Sequence, residues 1–303
     1  FPKDVKVGEQ IMVDDGKLLF EVVSTDKDKE VVVNVIVGGP LNSKKGVNLP
    51  NTAISLPALT EKDKEDAVFA LGLNVDWMAL SFVRTPEDLR MLRDLIDEHS
   101  DYRVPVIAKI EKPEAIEDID EIIDATDAIM VARGDLGVEV PSHKVPVYQK
   151  MIVKKCITAG KPVVIATQML ESMTENPTAT RAEVNDVANS VIDGSDAVML
   201  SGETSVGSYP LKVVDTMRKI IRDVEASEHN ISKNTIERSL TDDSRLLSNA
   251  ICSNATNIAK QTNAKAIITV TYSGFNTINT SSYRPHAFIY AFTNNHTILN
   301  TLS

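Results

Sequence analysis

The sequence predicts an α/β protein built on a parallel sheet, with a small β unit before it and a second α/β unit after it, and three observations carry this. Residues 1–50 hold short apolar, largely β-branched runs separated by turn residues. From about residue 75 to 203, apolar strand candidates alternate with amphipathic helical stretches at a repeat of about 25–35 residues, the mark of βαβ units. Each of those strands also ends in polar or reactive residues.

In the first unit, QIMVDDGKLLFEV (10–22) places a DDG turn between apolar segments, and VVVNVIVGG (31–39) is a β-branched run stopped by glycines. After NLPNT (48–52) the pattern changes to strands VDWMALSFV (75–83), VPVIAKIE (104–111), AIMVARGD (128–135), KPVVIATQ (161–168) and DAVMLSGE (196–203). Between them TPEDLRMLRDLIDEH and PEAIEDIDEIIDA repeat their apolar residues at three and four positions, as helices do. Thr180 and Glu183 form a capping box at the start of another helix. A helix through TMRKIIRDVEAS leads to a polar linker, SKNTIERSLTDDS; beyond it come a helix containing ICSNATNIAKQT and the strands AIITVTY and AFIYAF.

At 303 residues and 43% apolar composition, the chain can build more than one domain. A net charge of -11 disfavours a nucleic-acid partner. No apolar run nears the roughly 20 residues that cross a bilayer, and Phe1-Pro2-Lys3 opens no signal-peptide pattern, so a soluble protein is expected. Cys156 and Cys252 match no metal or redox spacing and fit reduced thiols in a cytosolic compartment.

The strand ends carry the chemistry: Ser81, then Lys109 and Glu111, Arg133 and Asp135, Thr167 and Gln168, and Ser201 and Glu203. A (β/α)₈ barrel places its site at such ends, and a doubly wound sheet does something similar at its switch point, so the pattern alone favours a barrel only modestly. Residues two apart on a strand share a face, which sets Lys109 beside Glu111, either as an exposed ion pair or as part of a site. Glu111 and Asp135, from neighbouring strand ends, form a plausible hard-cation site. Gly134 permits close backbone approach at a helix start, where N–H groups attract anions. The Arg-Gly-Asp triplet follows a strand expected to be buried, which sets aside a cell-adhesion reading. The Thr167 hydroxyl is placed either to meet a substrate or to bond nearby backbone. Ser43-Lys44-Lys45-Gly46 is either a phosphate contact or a solvated loop tip.

As a set, DDG (14–16), SKKGVNLP (43–50), LPALTEKD (56–63), SFVR (81–84), KIE (109–111), MVARGDLGVEVP (130–141), AGKPVVIATQMLESM (159–173), TRAEVNDVAN (180–189) and MLSGETSVGSYP (199–210) resemble the pyruvate kinase family, in order and over nearly the whole chain. The resemblance implies a (β/α)₈ (TIM) barrel with an inserted β-barrel lid domain and a C-terminal α/β domain. On that pattern residues 1–48 are the end of the lid, 49–228 carry barrel strands four to eight, and 229–303 are part of the C-terminal domain. Three barrel strands and the start of the lid are then expected before Phe1, which makes the chain a fragment or the ordered part of a longer protein.

The resemblance also implies transfer of a phosphoryl group from phosphoenolpyruvate to ADP, giving pyruvate and ATP. Lys109 would stabilise the phosphoryl group in flight, and Glu111 and Asp135 would hold Mg²⁺, with Mn²⁺ as an alternative. Gly134, Asp135 and Thr167 would bind substrate, with Thr167 near the path of enolate protonation; Ser81 would line the pocket and Lys45 would reach nucleotide phosphates. It implies K⁺ in the full-length protein, through ligands outside this chain, and a cytoplasmic homotetramer with neither nucleic-acid nor membrane partners. Two rivals remain open: another Mg²⁺-dependent enolate enzyme on a barrel, such as a pyruvate-dependent aldolase, and an inactive remnant kept as an interaction or regulatory subunit.

Overall fold

Burial alternates along the strand Val106–Ile110: Val106, Ala108 and Ile110 are buried while Ile107 and Lys109 between them are partly exposed, so it presents a helix-covered face and a second face to the site. This period, with helical burial between strands, is what the computed structural model organises; it describes residues 1–14, 16–43, 45–50, 52, 57–227 and 246–302.

The first unit is an antiparallel sheet in the order β3-β2-β1-β4, formed by β1 (Gln10–Val13), β2 (Leu18–Thr25), β3 (Val31–Val37) and β4 (Val47–Asn48). It has its own core of Val5, Ile11, Val13, Leu18, Val22 and Leu49. The DDG turn includes Asp15, outside the described residues; its flanks, Asp14 at φ 54° and Gly16 at φ 83°, are left-handed, which suits aspartate and glycine there.

The second unit is a parallel sheet of β5 (Met78–Leu80), β6 (Val106–Ile110), β7 (Ala128–Ala132), β8 (Val163–Ala166) and β9 (Ala197–Met199). Among the described residues its order is β5-β6-β7-β8-β9, every pair parallel and every neighbour consecutive in the chain. A doubly wound sheet reverses its order at a switch point; this one never reverses, which is the winding of a barrel. Helices Glu61–Gly72, Pro86–His99, Val145–Ala159, Arg181–Asp193 and Pro210–Ala226 flank it, and their apolar faces join the strands in one core that includes Leu89, Ile96, Ile110, Ile129, Ile152 and Ile165.

The strands are shorter than the sequence pattern predicts. Phe82 (φ 55°), Thr167 (φ 69°) and Gln168 (φ 54°) turn the chain left-handed just past β5 and β8, and after β7 the helix Arg133–Glu139 starts at once. The stretch 113–125, expected as one helix, is two, Pro113–Glu117 and Ile119–Ala125, divided at Asp118 (φ -96°, ψ 21°). That bend lets Ala115, Ile119, Ile122 and Ile123 all be buried.

The third unit pairs β10 (Ala266–Val270) with β11 (Phe288–Phe292) in parallel, joined through the helix Phe275–Ser282, while the helix Leu246–Thr262 packs on both the strand and that helix. The linker at 232–244 and the boundary between 228 and 229 lie outside the described residues. Among the described residues no helix is long and apolar enough to cross a membrane, and both cysteines are free thiols.

Candidate active site

Lys109 is the fourth residue of β6 and Glu111 directly follows the strand, so the two point the same way. The Lys109 ammonium lies 2.6 Å from Glu111 Oε1 and donates to Ser81 Oγ, just beyond β5, at 2.8 Å. Three of the residues expected at the site are therefore brought together. The Glu111 side chain is 1% exposed. Its Oε2 accepts the Phe82 N–H at 2.6 Å, and the left-handed turn at Phe82 accompanies that bond. Its buried Oε1 is met by the Lys109 ammonium.

The ends of β7 and β8 are joined in the same manner. The Gly134 N–H, expected to be open to an anion, is donated to Thr167 Oγ1 at 2.7 Å, and that hydroxyl donates in turn to Ala166 O at 2.6 Å. A Cβ on Gly134 would stand 3.3 Å from Thr167 Oγ1, so the glycine is what allows this approach. Asp135 sits partly buried in the first turn of the helix that starts at Arg133. Because β6 and β7 are adjacent, with Ile110 opposite Val131, Glu111 and Asp135 follow neighbouring strand ends. Among the described residues no group of three or more His, Cys, Asp or Glu side chains forms a metal cluster. The donor set is a pair of carboxylates, and Mg²⁺ is commonly held by one or two such groups with waters and substrate oxygens completing its shell.

Lys45 lies apart, in the antiparallel unit, 2.8 Å from Asp14 Oδ1. That hydrogen bond, ahead of burial, which acts the other way, and of the charge of Lys17, holds the Asp14 carboxyl below its usual range. A cavity of about 810 Å³ opens between β4, the helix Glu61–Gly72 and β5; of the residues expected at the site only Ser81 lines it.

Residues 1–214 match the model of the pyruvate kinase barrel domain and residues 249–303 that of the pyruvate kinase alpha/beta domain. The chain belongs to the pyruvate kinase family. It is 45% identical over 304 residues to a pyruvate kinase of Geobacillus stearothermophilus and 45% identical over 302 residues to one of Bacillus licheniformis, alignments that cover 99% of this chain and 51% of each relative. A pyruvate kinase of Clostridium acetobutylicum is 45% identical over 291 residues, 96% of this chain and 61% of that protein. The chain thus spans about half the length of the first two relatives.

Three groups near the strand ends were not predicted from the sequence or were predicted only as strand-end residues. Arg133 donates to Thr167 O at 2.7 Å and Gln168 O at 3.2 Å and pairs with Asp186 at 2.7 Å, so it holds the turn after β8 from the end of β7. Glu203, fully buried, accepts the N–H groups of Leu170 at 3.1 Å and Ser201 at 2.7 Å. Lys112 and Glu139 form a buried ion pair at 2.7 Å. Arg133 and Glu203 stand at strand ends in the sequence; nothing in the sequence pairs Lys112 with a residue 27 positions away.

Proposed function

We propose that the protein carrying this chain transfers the phosphoryl group of phosphoenolpyruvate to ADP, giving pyruvate and ATP. The observation that carries the reading is the Lys109 ammonium held 2.6 Å from the nearly fully buried carboxylate of Glu111, just past the end of β6. Phosphoryl transfer spreads negative charge over peripheral oxygens and needs little covalent help, so a preplaced cation acts where that charge develops. Lys109 supplies it, and its bond to Ser81 Oγ fixes the ammonium's direction.

The residues present fit a divalent ion: Glu111 and Asp135 offer carboxylate oxygens from neighbouring strand ends, and the buried Glu111 Oε1 faces only the Lys109 ammonium. Bound there, Mg²⁺ or Mn²⁺ would add positive charge beside the transferring group. Thr167 and the backbone of Gly134 and Asp135 are read as the substrate cradle, with the Thr167 hydroxyl close to where the enolate takes its proton. Lys45 is read as a nucleotide-phosphate contact, for which it would exchange Asp14 for the nucleotide.

For the whole protein we infer the last step of glycolysis, a K⁺ requirement, a cytoplasmic location and a homotetramer. A division close to 48/49 is supported by the separate core of the antiparallel unit, although Leu49 still packs in that core.

The test is pyruvate formation from phosphoenolpyruvate, ADP and Mg²⁺ by the whole protein and its Lys109→Ala variant. The variant is expected to lose about 10²–10³-fold in kcat, with the KM for phosphoenolpyruvate changed far less. Pyruvate formed without ADP, or a variant as fast as the parent, overturns the reading.

A further inference from the structure

Lys112 follows Glu111 in the chain but turns away from it, its ammonium donating to Glu139 Oε1 at 2.7 Å. Both residues are buried, at 9% and 7% exposure. A buried ion pair contributes little net stability, since desolvation of the two charges offsets their attraction, so stability alone is a weak reason for this pair. What distinguishes it is its neighbours. Glu139 Oε1 also accepts from Asn48 Nδ2 at 3.1 Å, and Asn48 is the last residue of β4, paired with Met12 of β1. A single carboxylate oxygen therefore fastens the antiparallel unit to the parallel one.

On its other side Lys112 lies 5.8 Å from the centre of the Phe82 ring, and the Phe82 N–H is the donor that holds Glu111 Oε2 at 2.6 Å. Lys112 is thus connected to Glu111 twice, through the chain and through Phe82. Glu139 is likewise the last residue of the helix whose first turn carries Asp135. From Asn48 through Glu139, Lys112 and Phe82 to Glu111, each contact is a hydrogen bond, an ion pair or a cation over a ring.

We propose that Lys112 and Glu139 are positioning residues that tie the divalent-cation site to the placement of the antiparallel unit, so that affinity for the cation depends on the Asn48–Glu139–Lys112 connection. The inference rests on Glu111 and Asp135 being the metal ligands, as read above. Groups that orient a ligand without touching the metal commonly change its affinity by about 10–100-fold when removed.

The experiment is Mn²⁺ binding to the whole protein without substrates, followed by loss of the free-ion EPR signal, with thermal unfolding recorded on the same samples. Lys112→Met is expected to weaken Mn²⁺ binding about tenfold or more. Lys112→Arg, which restores the cation, is expected to return affinity to near the parent value, and a purely structural role would not produce that recovery at equal melting temperature. Asn48→Ala removes the arm from the antiparallel unit without stranding a charge and should weaken binding severalfold, the worth of about one hydrogen bond. It also serves if Lys112→Met does not fold. Unchanged Mn²⁺ affinity in a folded Lys112→Met, or in Asn48→Ala, overturns the connection. Glu111→Gln separates the two readings: affinity lost there but kept in Lys112→Met overturns the positioning role alone, whereas affinity kept in Glu111→Gln overturns the metal site and this proposal with it.

Discussion

Thr167 is a β-branched residue held at φ 69°, a conformation that costs about 1–3 kcal/mol unless its surroundings enforce it. They do: Arg133 Nη2 binds its carbonyl at 2.7 Å and that of Gln168 at 3.2 Å, while its hydroxyl is fixed between Gly134 N and Ala166 O. Thr167→Val keeps the shape but leaves the Gly134 N–H unpaired. It should cost about 1–3 kcal/mol in denaturant unfolding and lower kcat in the pyruvate assay. Arg133→Leu should cost a similar amount, about 1–3 kcal/mol, because Asp186 is partly exposed and is stranded less severely than a buried charge. A variant with unchanged unfolding midpoint would show that the left-handed turn is held by other contacts. At this scale most of the candidate site was legible, because Lys109, Glu111, Asp135 and Thr167 stand at strand ends in the sequence. Lys112 and Glu139 did not, since their pairing depends on how far the chain turns after β6 and β7, which no local pattern encodes.

The helix Arg181–Asp193 begins with the reciprocal capping box that its sequence predicts, Thr180 Oγ1 accepting from Glu183 N and Glu183 Oε2 from Thr180 N at 2.8 Å. Glu183 does more than close its own helix. Its Oε1 accepts Ser172 N at 2.7 Å and its Oε2 the Ser172 hydroxyl at 2.5 Å, which fastens the loop after β8. Burial raises the Glu183 carboxyl, but the hydrogen bonds from Ser172 and Thr180 outweigh it and leave the group below its ordinary value of 4.5. A carboxyl depressed in the folded state adds stability above its unfolded pKa and loses it as pH falls through the folded one. Glu183→Gln should therefore be less stable than the parent at pH 6, with the gap closing as the pH is lowered well below 4.5; denaturant midpoints at both ends measure it. A gap independent of pH would assign the effect to shape rather than charge. The elements themselves were legible from period-two and period-3.6 patterns, and their ends were not. Strands stop where Phe82, Thr167 and Gln168 turn left-handed, and those residue types carry no general preference for doing so.

The consecutive order of β5 to β9 explains why the chemistry collects on one side of the parallel sheet: every strand runs the same way, so every C-terminal end opens on the same face. The sequence pattern alone favours a barrel only modestly over a doubly wound sheet, because both repeat strand and helix; the pairing order separates them. The opposite end of that sheet has another task. Arg284, just before β11 in the third unit, donates through Nη2 to Gly194 O and to Asp196 Oδ1 at 2.9 Å. Asp196 leads into β9 and also accepts Val163 N at 2.8 Å, so the contact clamps the starting ends of β8 and β9 to the third unit, away from the strand ends that hold Lys109 and Glu111. Burial raises the Asp196 carboxyl above its ordinary 3.8, and the charge of Arg284 opposes that rise. A carboxyl raised in the folded state is most favourable to folding when protonated and costs stability as pH climbs through its folded pKa, a cost that Arg284 limits. Arg284→Ala should thus lower stability by about 1–3 kcal/mol at neutral pH, less near pH 3, and leave kcat for pyruvate formation within about twofold of the parent. A loss of kcat without a loss of stability would instead show that this clamp is coupled to the chemistry at the far end of the strands.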